Sequence, residues 1–344
     1  MTAGERPAAE GGGARPPDAR GPNVDVHAHL VPEAAFARAP RGLRANPIPE
    51  RDEIGLVVEG RGAGRGAPPP LRNLARHRER QAARGVDVSL LGAWIDMVKA
   101  PLDPAVQHAW CQVLNDELAA ATRGSGHSRF LAALPDLDGG RAAQELERAL
   151  ALGAVGALLA ANPDRGNLDR DDFEPLWQAA ERLRRPIVLH PGEFAPPPRL
   201  ARYFMVNLVG NPFETTLAVG SLAGAGVPER HPELRLVLVH GGGFLPYQYG
   251  RMAAGFERWP ALAPLRRRSP AELLRWFHYD TVLFDDPPTR YLLDLVGDDR
   301  VLAGSDCPFT MSDHRPWERP GSLGLDEVAS RRVLGGNAVR LFGL

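Results

Sequence analysis

Apolar and polar positions repeat with two different periods along most of the chain, and the switches between them mark its elements. Short apolar runs over 23–28, 86–91, 130–134, 154–159, 186–190, 235–240, 279–283 and 301–304 predict eight strands. Helical periodicity fills the intervals at 71–84, 103–122, 139–152, 173–183, 215–223, 246–258, 271–277 and 287–296, with two more helices over 325–342. Strands alternating with helices imply a parallel sheet, and eight of them imply an α/β fold closed into a (β/α)8 TIM barrel. An open doubly wound sheet would call for a glycine-rich phosphate loop between a strand and a helix, and none is present. The regular pattern breaks after the first strand. Residues 31–70 are rich in Pro, Gly and Arg, with one alternating patch at Ile54–Val58, and predict a small insertion carrying a hairpin. Residues 1–21 offer almost nothing to bury and predict a disordered tail, leaving 22–344 as the barrel domain.

Composition narrows the partners more than the fold. Of 344 residues 44% are hydrophobic and 24% charged, values of a globular protein able to bury a large core. A formal net charge of -1 gives no electrostatic basis for nucleic acid or an anionic membrane as partner. No apolar run is long enough for a membrane helix, and the N-terminus lacks the apolar core of a secretory signal. Two cysteines, Cys111 and Cys307, make no disulfide framework, so a cytoplasmic location is expected.

Chemistry in such a barrel gathers at the C-terminal ends of the strands, and that rule filters the polar residues. In Asn23-Val-Asp-Val-His-Ala-His29 the alternation puts Asp25, His27 and His29 on one face. An isolated pair of this kind reads equally well as two packed, hydrogen-bonded imidazoles. Three further strands end in His190, His240 and Asp306, however, and five such groups converging on one mouth point to a divalent ion such as zinc with one position open. Gly241, Gly242 and Gly243 after His240 would let backbone approach a ligand closely. His77, His108, His127, His231 and His314 read as solvated or capping residues, and His278 falls at the opposite barrel end. Cys307 reads as a packed small residue and Glu214 as a helix-terminus residue.

The motifs Asp25-Val-His-Ala-His29, Val188-Leu-His-Pro191, Leu236-Val-Leu-Val-His-Gly-Gly-Gly-Phe-Leu-Pro-Tyr247 and Gly304-Ser-Asp-Cys-Pro-Phe309 resemble the amidohydrolase superfamily. More narrowly they resemble its α-amino-β-carboxymuconate-ε-semialdehyde decarboxylase branch, over roughly 23–343. The resemblance implies one divalent ion, Zn2+ or else Mn2+, on His27, His29, His190 and Asp306. His240 and Asp306 would be catalytic, His240 as acid/base beside a metal-bound water. It implies a homodimer in which Arg251 reaches across the interface to grip a substrate carboxylate, for which its planar fork is suited. Binuclear members use a lysine on the fourth strand, whereas the single lysine here is Lys99, outside that strand.

The chain departs from the family where Gly192 and Glu193 follow His190-Pro191 in place of a bulky aromatic, which implies a reshaped pocket wall. Trp94, Asp96 and Phe194 are the expected pocket lining, and Arg61 and Arg65 are candidates for a basic residue of the insertion. The activity so implied is nonoxidative decarboxylation of a small unsaturated or aromatic carboxylic acid. Hydrolysis or hydration of a small cyclic or conjugated carboxylate at the same site is the alternative. A barrel that binds without turnover would have no need of all five groups.

Overall fold

A computed structural model gives the architecture and describes residues 21–58, 66–100, 103–192, 198–265 and 268–344. The first strand, β1 (Val24–His29), is followed by an antiparallel hairpin of β2 (Leu43–Ile48) and β3 (Glu53–Val58). Seven strands then alternate with helices: β4 (Val88–Gly92), β5 (Ser128–Ala133), β6 (Gly156–Ala160), β7 (Ile187–His190), β8 (Leu236–Leu238), β9 (His278–Asp280) and β10 (Val301–Leu302). β1 and β4–β10 form one parallel eight-stranded sheet in sequence order. The circle closes where β10 and the residues after it meet β1. Val26 N donates to Ala303 O at 3.1 Å, Asp306 N to His27 O at 2.7 Å, and His29 N to Cys307 O at 2.8 Å. The fold is the expected (β/α)8 barrel.

Strands enclosed by helices outside and by side chains inside have no wet face, which is why they read as apolar runs rather than alternating ones. β6, Gly-Ala-Leu-Leu-Ala, is buried at every position. The helices are started by local signals. Asp103 accepts from Ala105 N and Val106 N to cap Pro104–Thr122, with Pro104 in the first turn, where no N–H is missed. Inward-facing Asn115 on this helix donates to Ala133 O and accepts from Ala133 N, pinning the catalytic-face end of β5.

Two expectations need correction. The helix expected over 71–84 is split into Pro69–Arg72 and Leu74–Ala83, because the Asn73 side chain accepts from Arg76 N and starts a new helix there. In the insertion, β2 escaped the sequence pattern because Leu-Arg-Ala-Asn-Pro-Ile carries a proline and little alternation; it is held by pairing with β3 in register Leu43↔Val58. Arg61 and Arg65, and all of the expected tail but Gly21, lie outside the described residues. Among the described residues no helix is long and apolar enough to cross a membrane.

His77 and His231, expected as solvated or capping residues, are buried, and His278 is buried at the strand start where it was expected. His231 sits between Glu174 at 2.9 Å and Glu181 at 3.0 Å. His77 and His278 have weaker surroundings for a charge: burial, then neighbouring arginines, lower them from the ordinary 6.5 to about 4 and about 3. Both are neutral in the fold at pH values where the unfolded chain has already taken up a proton. Their contribution is therefore complete above pH 6.5 and is lost as pH falls from there through about 4 and 3, at a cost on the order of a few kcal/mol. His77→Gln is expected to flatten the pH dependence of the urea midpoint between pH 6.5 and 4; an unchanged slope would contradict this origin of acid sensitivity.

Candidate metal centre

The five groups expected at the strand ends meet at the C-terminal mouth of the barrel. The rings of His27 and His29 are 5.1 Å apart, and that of His190 lies 5.0 Å from His27 and 4.9 Å from His29. His240 completes the ring of imidazoles, 5.2 Å from His27 and 5.3 Å from His190. Asp306 stands among them: its Oδ1 is 3.1 Å from His29 Nε2 and 3.2 Å from His27 Nε2, and its Oδ2 is 3.5 Å from His240 Nε2. One ligand atom each from His27, His190, His240 and Asp306 lies within 4.8 Å of all the others. That tight set contains His240 where the sequence reading had His29. Exposure separates the two. His27, His29 and His190 are 2%, 1% and 5% exposed, while the His240 side chain is 17% exposed and opens toward the mouth.

Tautomers are set by the partners of the outer nitrogens. His27 Nδ1 donates to Asp280 Oδ2 at 2.6 Å, and His190 Nδ1 donates to Pro191 O at 2.7 Å. Each ring therefore turns its Nε2 inward; that of His190 is buried without a hydrogen-bond partner, and that of His27 meets the Asp306 carboxylate at 3.2 Å. Two inward-turned imidazole nitrogens beside a carboxylate are the donor set of a divalent-ion site, and the residues fit such an ion.

The charges agree. Burial alone would raise Asp306, but the charge of His27 and hydrogen bonds from His240, His27 and His29 outweigh it and hold the carboxyl well below the usual range. Burial likewise lowers His27, yet the Asp306 charge and the hydrogen bonds to Asp280 and Asp306 push it up to about 10. A proton on His27 Nε2 occupies the place an ion would take. Burial, and then the charges of the neighbouring imidazoles, hold His190 well below its ordinary value, as a neutral ligand requires.

Beneath this ring lies a second set that the sequence reading passed over. Asp280 ends β9; its Oδ1 accepts from Gly241 N at 2.9 Å and Val282 N at 3.1 Å, while Oδ2 holds His27. Reading β9 as ending at 283 hid a carboxylate at a strand end, where the placement rule would have found it. Asp25, on the face expected, accepts from Gln81, from Ser305 N at 3.0 Å and from Ser305 Oγ at 2.6 Å, and so ties β1 to the segment carrying Asp306. Burial raises its pKa to about 6. His240 and Asp306 both hold positive φ, 54° and 61°, uncommon for residues with a Cβ and held here by these bonds.

The glycines after His240 serve packing. A Cβ on Gly241 would lie 2.4 Å from Leu283, and one on Gly243 2.2 Å from the Pro212 carbonyl, so glycine here makes room for close packing of the protein. Gly192 is corrected in the same way. The wall is filled: a Cβ there would meet Lys99 Cδ at 2.6 Å, and Asn162 clamps Gly192 with two backbone hydrogen bonds. Lys99 is buried at the end of the short helix Ile95–Lys99, with Nζ bonded to Asn162 O and 3.2 Å from Asp164. Trp94 packs edge-on against Phe309, which in turn packs on His29, and Asp96 is half-buried in the first turn of that short helix. Arg251 is exposed on the helix Leu245–Arg258, and Phe194 lies outside the described residues. Cys307 is buried, and burial pushes its thiol up to about 11.

A barrel whose mouth gathers four imidazoles and a carboxylate is a scaffold for metal-assisted chemistry. The amidohydrolase family model matches residues 24–344, and the chain belongs to that family. Its relatives lie on a decarboxylase branch. It is 33% identical over 238 residues to a 2-amino-3-carboxymuconate-6-semialdehyde decarboxylase of Dictyostelium discoideum, covering 68% of this chain and 66% of that protein. It is 31% identical over 284 residues to a gamma-resorcylate decarboxylase of a Rhizobium species, covering 76% of this chain and 84% of the relative. A solved dihydroxybenzoic acid decarboxylase from Polaromonas, crystallised with manganese, shares the fold with a TM-score of 0.73 at 23% identity, covering 94% of this chain and 97% of its own.

Proposed function

We propose that this protein is a metal-dependent nonoxidative decarboxylase of a small unsaturated or aromatic carboxylic acid. The observation that carries the reading is the inward-turned Nε2 atoms of His27 and His190, the second without a partner, beside Asp306 at the mouth of a barrel whose relatives are decarboxylases. His27, His29, His190 and Asp306 hold one ion, zinc or manganese. When bound, that ion supplies positive charge that draws in the substrate's oxygens and stabilises the electrons left as carbon dioxide departs. His240 is the acid/base. Its Nε2 lies 3.5 Å from Asp306 Oδ2 and its side chain is open to solvent at the mouth, from which it gives its proton to the carbon bearing the carboxylate and takes one back from water between turnovers. Protonation breaks the conjugation there, the bond to the carboxylate cleaves, and the electron pair returns to the ring or enal system. Phe309 and Trp94 supply an aromatic wall against which a flat substrate stacks. Chelation is expected to abolish carbon dioxide release, and zinc or manganese to restore it; full activity in the chelated protein would overturn the reading.

The working form in this reading is a homodimer in the cytoplasm, with free buried cysteines suited to a reducing compartment. Phe213 and Leu217 on the helix Asn211–Gly224 are exposed, as are Phe244 and Tyr247 at the start of the helix Leu245–Arg258; Phe244 N donates to Thr216 Oγ1 and ties the two together. An apolar surface of this size on two adjoining helices favours a second copy. Arg251 follows Tyr247 by four residues and so shares its helix face, from which it would reach the partner's substrate carboxylate. Arg251→Ala is expected to raise KM by about tenfold or more, the worth of a charge-assisted bidentate contact, with the sedimentation coefficient unchanged. An unchanged KM would remove Arg251 from the site.

A further inference from the structure

We propose that the N-terminal face of the barrel, opposite the metal centre, carries a second binding site for a small anion bearing a phosphate group. A cavity of about 550 Å³ opens there among Arg235, Arg268, Arg275, Arg300 and Arg340. The position follows from the strands. Arg235 precedes β8, His278 opens β9 and Arg300 precedes β10, so the cavity lies at the strand starts, while His190 and Asp306 lie at or beyond strand ends.

Its chemistry is donor-rich. Arg275 is 3.0 Å from Asp299 and Arg268 is 3.6 Å from Glu229, but among the described residues Arg235 and Arg340 have no carboxylate partner. Arg235 rests on the carbonyls of Arg184 and Leu341, and Arg340 on Asn337 Oδ1. Of the two glutamates on the wall, Glu233 and Glu272, the second is taken up in capping its own helix through Ser269. Two buried residues back the arginines. Arg300 Nη1 donates to His278 Nε2 at 3.4 Å, so the ring hydrogen sits on Nδ1, and that atom has no partner. The Trp276 indole N–H has none either, and the two residues are 9% and 6% exposed.

The unpartnered N–H groups of His278 and Trp276 lie buried behind the cavity wall, and on the wall itself the guanidinium groups repel one another. A ligand that answers the arginines carries several acceptor oxygens and negative charge but no donors at that end. Phosphate does so, and arginine forks match its geometry. The volume exceeds that of free phosphate and falls in the range of small-metabolite pockets, which favours a phosphorylated organic molecule.

Calorimetric titration of the metal-loaded protein with inorganic phosphate and with AMP, at constant ionic strength, tests the site. Saturable binding is expected, tighter for AMP if the organic portion is also recognised and equal if free phosphate is the ligand. Arg340→Gln and Arg235→Gln, the first at an exposed position that leaves the core intact, are each expected to weaken binding by about tenfold, the loss of one charge-assisted contact. Weakening in either folded variant supports the site. Absence of saturable binding for both probes overturns it, and so does binding unchanged in both variants, which would put the anion at the metal centre.

Discussion

His240→Asn is expected to lower kcat by about a hundredfold to ten-thousandfold while metal content stays near that of the parent protein. The side chain is set apart from the other imidazoles by its exposure, 17% against a nearly sealed His27, His29 and His190. It is also held differently, on a backbone with positive φ and against glycines packed on Leu283, Tyr279 and Pro212. Asparagine has similar bulk and can sit in the same place, but it cannot carry a proton to carbon. The opposing assignment makes His240 the ion's ligand in place of His29, as the grouping of His27, His190, His240 and Asp306 within 4.8 Å allows. The two assignments differ in one readout. If His240 is a ligand, the asparagine variant loses metal along with activity and His29→Asn retains it; if His240 is the proton donor, His29→Asn loses the metal.

Asp280→Asn is expected to weaken metal binding by about tenfold to a hundredfold, although Asp280 is not among the ligands. Its Oδ1 is occupied by Gly241 N and Val282 N, so an asparagine places its oxygen there and turns its NH2 toward His27. His27 Nδ1 must then accept rather than donate, which moves the ring hydrogen to Nε2, where it blocks the ion. Chelator competition measures the effect without reference to turnover. Affinity equal to that of the parent protein would show that Asp280 does not set the tautomer of His27.

The candidate ligand residues are legible because a parallel barrel presents apolar strands almost without exception, so a histidine or aspartate at a strand end stands out. His27, His29, His190, His240 and Asp306 all emerged on that ground. The same rule failed at Asp280, because the strand was read three residues too long and its terminal carboxylate was taken as interior. Residues that act on other residues left weaker marks. Nothing local in Gly192 shows that Lys99, distant in sequence, fills the space beside it. Asp25 was placed on the correct face, but its ties to Gln81 and Ser305 depend on how the ends of the barrel meet. His77 reads as a surface residue because it lies on a charged helix; burial is a property of the closed ring of helices and strands, not of its neighbours in sequence. β2 is the plainest case of tertiary override, a proline-bearing segment made a strand by its partner.

The central claim is loss of carbon dioxide rather than addition of water, and both could use the same residues. The metal-loaded protein, given gamma-resorcylate and other small unsaturated or aromatic carboxylates in water labelled with heavy oxygen and deuterium, separates them. The account predicts carbon dioxide equal to product formed, one solvent deuteron at the carbon that carried the carboxylate, and no labelled oxygen gained by the product. A product that keeps its carboxylate and gains solvent oxygen would contradict it.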